Sequence, residues 1–139
     1  MTVSESSKLD IEDLLGLPFS DDGDGPDSWN CWNLCCEVYR RADKHLPHYS
    51  DWIEDLAKRN AFINRKKLRD FWLLDKPEPL ALVTLRMFRQ YPNFINHIGI
   101  MISHRHFINV RKKTGVCIDD IYNRRWQPNR IEGFYRYAG

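Results

Sequence analysis

The sequence predicts an α+β domain in which N-terminal helices pack on one side of an antiparallel β-sheet. Two observations carry that reading. Between Cys31 and Ala42 apolar residues recur at helical spacing, and after Pro77 and Pro79 the text changes to short branched and aromatic runs. Helices first and strands afterwards, with only short turns between the strands, favour a meander over alternating parallel units.

Residues 1–13 read as a loose acidic leader, and residues 14–139 as one domain, since 139 residues fit a single core. Leu14 to Phe19 lead into a turn-rich loop, Ser20-Asp21-Asp22-Gly23-Asp24-Gly25-Pro26-Asp27-Ser28. That loop lacks the distal Glu of a calcium loop, so no metal is expected. The helix follows. Cys31, Leu34, Cys35, Val38, Tyr39 and Ala42 fall on one stripe, with Glu37, Arg40, Arg41 and Lys44 off it. Ser28 or Asn30 can cap its free N–H groups, Lys44 and His45 suit the negative end of the dipole, and Leu46-Pro47 stops it. Further helical stretches are expected from about Asp51 to Asn60 and from about Lys66 to Leu73. Strands are expected at Leu80–Phe88, Asn96–Ile102, His106–Val110 and Gly115–Ile118.

Composition narrows the function. Hydrophobic residues are 42% and charged residues 29% of the chain, as in folded globular domains, and no apolar run approaches the roughly 18 residues of a membrane span. No membrane insertion is expected, and the acidic start does not read as a secretory signal. Cys31, Cys35, Cys36 and Cys117 are laid out like reduced thiols, which fits synthesis in a reducing cytoplasm. The net charge of +2 is uneven: residues 1–30 hold eight acids against one Lys, and the excess of bases lies beyond them. That basic part suits an anionic partner or simply a solvated face. Without a phosphate-binding glycine loop or zinc-finger spacing, no nucleic acid is expected.

Cys31 opens the helix, where unpaired N–H groups and the dipole lower a thiol's pKa. Cys35, Cys36 and Cys117 read as packing residues. Of the five histidines, His97 starts a strand in which Ile98, Ile100 and Ile102 face one way and His97, Gly99 and Met101 the other. Gly99 is expected to leave space beside the imidazole. If the next strand pairs so that His97 faces Asn109 or Arg111, Asn109 shares the imidazole's face and can orient the ring; a slip of one residue removes it. Nucleophile, base and orienting amide are the elements of acyl transfer. Residue types and spacing alone leave the competing reading open, that Cys31 is a small buried hydrophobe.

Three segments, in order, resemble the NlpC-type cell-wall peptidases of the papain-like superfamily, in particular their phage tail-associated branch. They are Gly16-Leu17-Pro18-Phe19 running through the Gly/Asp loop to Asn30-Cys31-Trp32-Asn33-Leu34; His97-Ile98-Gly99-Ile100 with Phe107-Ile108-Asn109-Val110; and Arg130-Ile131-Glu132-Gly133-Phe134-Tyr135-Arg136-Tyr137. Leu46-Pro47-His48-Tyr49-Ser50 is similar as well. The resemblance implies a papain-like NlpC-type fold with Cys31 as nucleophile, His97 as general base and Asn109 as the third polar residue. It implies hydrolysis of amide bonds in peptidoglycan stem peptides, with no metal or organic cofactor, by a protein that partners phage tail proteins and acts from the virion tail in the periplasm or cell wall. Asn30 and Asn33 stand where the family writes Asp and Gly. A structural or assembly module of a phage tail, with a blunted site, and an interbacterial cell-wall amidase toxin are the alternatives. Phe19, Trp29, Asn30 and Trp32 are the candidates for a substrate groove.

Overall fold

The computed structural model describes residues 9–47, 60–61, 63–64 and 69–139. Helix α1 spans Cys31–Arg41, and six strands follow: β1 Phe71–Leu74, β2 Leu82–Leu85, β3 His97–Met101, β4 His106–Arg111, β5 Gly115–Asp120 and β6 Ile131–Tyr137. All neighbours in the sheet are antiparallel, in the order β1-β6-β2-β3-β4-β5. Strands β2 to β5 form the expected meander, while β6 returns from the far end of the chain to sit between β1 and β2.

Helix α1 forms where the apolar stripe places it, and Asn30 rather than Ser28 caps it: Asn30 Oδ1 accepts the Asn33 N–H at 2.8 Å. Leu34, Cys35 and Val38 pack with Ile98, Ile100, Ile108 and Val110, which are the alternate residues of β3 and β4. The opposite face of the sheet is covered as well. There Val83, Leu85, Met101 and Phe107 pack with Ile121 and Trp126, from the connection between β5 and β6. This second cover explains why β2 and β3 are buried along their whole length and read as continuous apolar runs.

The helix expected from about Lys66 to Leu73 is corrected in its second half. Phe71–Leu74 is a strand, paired with Phe134–Tyr137 of β6, and helical conformation among its described residues stops at Asp70. Backbone pairing with a strand more than fifty residues away outweighs local propensity here. The helix expected over Asp51 to Asn60 lies outside the described residues except for Asn60, which is helical.

Gly99 is also corrected. A Cβ there meets Phe107 Cδ2 at 2.6 Å and the Ile108 carbonyl oxygen at 3.0 Å, so on the face that Gly99 shares with His97 the space is filled by the Phe107 ring. Phe107 is fully buried and cannot move outward. Gly99→Ala is expected to cost about 1–3 kcal/mol through overpacking. Urea unfolding should show a lower midpoint at unchanged slope, and an unaltered midpoint would contradict this packing.

Candidate active site

Asn30 builds the start of α1 from both ends of its amide. Its oxygen caps the helix, and its Nδ2 donates to the Asp21 carbonyl at 3.1 Å. Asn33 Nδ2 donates to the Gly23 carbonyl at 2.9 Å, and the Asn30 N–H donates to the same oxygen at 3.0 Å. The Gly/Asp loop is thereby laced to the first helical turn. Asn33 is turned into that loop, so its bulk is spent on the loop and not over Cys31. Cys31 is the first helical residue, 3% exposed, and the first turn holds no acid to compete for the positive end of the dipole.

His97 is the first residue of β3 and is 2% exposed. The register pairs Ile100 with Ile108 and Met101 with Phe107; continued, it sets Gly99 opposite Asn109 and His97 opposite Arg111. Asn109 is thus diagonal to His97 on the same face, and His97 Nε2 lies 2.8 Å from Asn109 Oδ1. An amide oxygen only accepts, so Nε2 carries the proton and donates it, which makes Nδ1 the unprotonated ring nitrogen. The indole of Trp126 stacks on the imidazole, at 6.1 Å between centroids and 8° between planes, and also meets Phe107 edge-on. Trp126 is fully buried, so one face of the ring is closed to water. Sequence reasoning missed this residue, which lies in a connection with no periodicity to mark it.

Cys31 belongs to the helix-side core, whereas His97 lies on the opposite face of β3. They reach one cleft because it sits at the sheet's end, where β2 and β4 finish and β3 begins. The cleft, about 540 Å³, is lined among the described residues by Cys31, His97, Phe19, Asp21, Met87, Phe88, Val110, Arg111, Lys112, Lys113, Arg125 and Arg130. Five cations face it against one carboxylate. Of the four expected groove residues only Phe19 lines it, with Lys112 Nζ 5.9 Å from its ring centroid. The other three are interior. Trp29 packs on Gly25, Asn30 is the cap, and Trp32 donates its indole N–H to the Pro47 carbonyl at 3.0 Å. Met87, Phe88, Arg125 and Arg130 were given no place in the site from sequence, because only the fold brings them together, whereas Arg111, at the end of β4, with Lys112 and Lys113 belonged to the basic part read as suiting an anionic partner or a solvated face.

The remaining thiols in α1 differ from Cys31 in setting. Burial raises the Cys35 thiol well above its ordinary value, with the neighbouring Cys31 adding to the shift, and burial pushes Cys36 up to about 12 with help from Asp24. Both are held protonated at neutral pH, as inert packing groups.

Helix α1 laid on a six-stranded antiparallel sheet, with a cysteine at the helix start and a histidine at the end of a central strand, is an α+β fold of the papain-like kind. The NlpC/P60 family model matches residues 16–134, and the chain belongs to that family, whose members are generally cysteine peptidases or amidases of the cell wall. Solved structures agree in fold. NlpC1 of Trichomonas vaginalis superposes with a TM-score of 0.63 at 20% identity, covering 94% of this chain and 43% of its own. A lipoprotein-like NLP/P60 family protein of Staphylococcus aureus gives 0.60 at 18% identity over 96% of this chain and 39% of its own. An NlpC/P60 family protein of Bacillus cereus gives 0.59 at 16%, over 94% and 42%. The chain therefore spans less than half the length of these proteins. No curated protein matches it.

Under limiting iodoacetamide at pH 7, Cys31 is expected to be alkylated ahead of Cys35 and Cys36, read by peptide mass spectrometry. Equal labelling of the three would contradict the assignment of distinct settings.

Proposed function

We propose that this protein is a peptidoglycan hydrolase that cleaves amide bonds of stem peptides with Cys31 as nucleophile, His97 as general base and Asn109 as the group that orients the imidazole. The observation that carries the reading is that Cys31, at the start of α1, and His97, held from behind by Asn109, line one cleft in an NlpC/P60 fold. The Cys31 thiol gives its proton to His97 Nδ1, and the thiolate attacks the scissile carbonyl. N–H groups of the first turn of α1 stabilise the oxyanion. His97 then returns the proton to the leaving amine, and water, deprotonated by the same nitrogen, releases the acyl group from sulfur. Asn109 holds the ring plane through both halves of the cycle.

The basic lining supports a substrate that carries carboxylates, as stem peptides do; Arg111, Lys112, Lys113, Arg125 and Arg130 outnumber Asp21. We further place the protein in a phage or prophage tail, made in the bacterial cytoplasm and acting from the virion on the periplasmic wall. What supports this is the likeness of Arg130–Tyr137 to the closing segment of tail-associated members, here the strand β6 held between β1 and β2.

Cys31→Ala and His97→Ala are each expected to abolish cleavage of purified muropeptides, a loss on the order of 10³-fold or more, with the thermal transition of the fold retained. Turnover within a few-fold of wild type in either variant would refute the mechanism.

A further inference from the structure

The amide nitrogen of Asn109 is held as firmly as its oxygen. Nδ2 donates to Asp119 Oδ2 at 3.0 Å and to the Cys117 carbonyl at 3.3 Å, both on β5. Cys117 is the register partner of Asn109, and Asp119 is two residues further along the same face. Asp119 in turn pairs with Arg111, whose Nη2 lies 3.4 Å from Oδ1, and the two side chains are each 13% exposed. A line of polar groups thus runs from Arg111 through Asp119 and Asn109 to His97, across β3, β4 and β5.

Nδ2 also lies 3.8 Å from Cys117 Sγ, a weak contact, while its two closer partners, the Asp119 carboxylate and the Cys117 carbonyl, are pure acceptors. Turning the amide over would set its oxygen against a carboxylate and a carbonyl and its N–H groups against the imidazole, leaving buried acceptors facing one another. Asn109 is fully buried, so water cannot relieve that clash. The orientation of the amide decides which ring nitrogen of His97 carries the proton, and hence which is left as base. The carboxylate acts here through orientation more than through charge, because the Arg111 guanidinium beside it offsets its field; the Cys117 thiol is the other titratable group against it, and the adjacent Asp120 is engaged by Arg105.

We propose that Asp119 is a positioning residue for the Cys31–His97 pair: with Arg111 steadying it, it locks the Asn109 amide so that the His97 proton stays on Nε2 and Nδ1 faces the cysteine. This rests on the roles given above to Cys31 and His97, and it adds a residue on a strand that touches neither.

The test is the histidine ¹⁵N spectrum in a Cys31→Ser background, where no thiolate keeps a second proton on the ring. With Asp119 present, His97 is expected as a single Nε2–H tautomer. Asp119→Asn, which can donate as well as accept, is expected to give a mixture of tautomers, and in the chain that retains Cys31 to slow alkylation of that thiol by about tenfold. Asp119→Glu, still acceptor-only, is expected to keep the single tautomer. One tautomer in both variants overturns the proposal, and so does a mixture in both, which would mark a merely structural role. Alkylation of Cys31 that is unaffected by His97→Ala would instead overturn the pair itself and Asp119's role with it. A normal His97→Ala effect beside an unchanged tautomer removes Asp119 alone.

Discussion

The 2.8 Å hydrogen bond from His97 Nε2 to Asn109 Oδ1 exists only because β3 and β4 pair in one register. Side chains alternate along a strand, so a shift of one residue would turn Asn109 to the helix face and leave the imidazole N–H buried without an acceptor. That register is fixed by burial on both sides. Ile98, Ile100, Ile108 and Val110 must meet α1, and Met101 and Phe107 must meet Trp126. The two apolar cores therefore set a polar contact to which neither contributes an atom. Gly99 is part of the same constraint, since only a missing side chain lets Phe107 lie flat across β3.

A second constraint acts on the other partner. Cys31 is placed by the cap at Asn30 and by the hydrogen bonds that Asn30 and Asn33 make to the Asp21 and Gly23 carbonyls. Both asparagines replace residues that the family writes differently, and both are consumed by tying the Gly/Asp loop to the helix. The sulfur is carried by a helix start that cannot shift without breaking this lacing. His97 Nε2 and the Asn109 amide are buried and hydrogen-bonded to each other, and the Trp126 stack closes one face of the imidazole to water, so this polar contact is worth more than it would be in solvent.

The parts of this fold that were legible in the sequence are those set by local periodicity. The stripe from Cys31 to Ala42 marked α1 and put Cys31 at its start, and the alternation around His97 and Asn109 marked two adjacent strands, while the register that sets those residues on one face comes from the structure. What was not legible depends on contacts distant in sequence. Phe71–Leu74 reads as the end of a helix until β6 arrives to pair with it, and β6 itself crosses to the far side of β2. Trp29 and Trp32 flank the cysteine in sequence but point into the core, because neighbours on a helix or turn face different directions. Trp126, Asp119 and the basic cleft residues come from a connection, a strand and loops that no single window of sequence unites.

The central claim is that the Cys31 sulfur and the His97 imidazole act as one titrating couple. It is tested most directly by following His97 by ¹⁵N NMR through a pH titration before and after Cys31 is capped with methyl methanethiosulfonate. A thiolate beside the ring holds its second proton, so capping is expected to make His97 lose that proton at lower pH. An identical titration of His97 in the free and capped protein would show that the two groups do not sense each other, and would contradict the account.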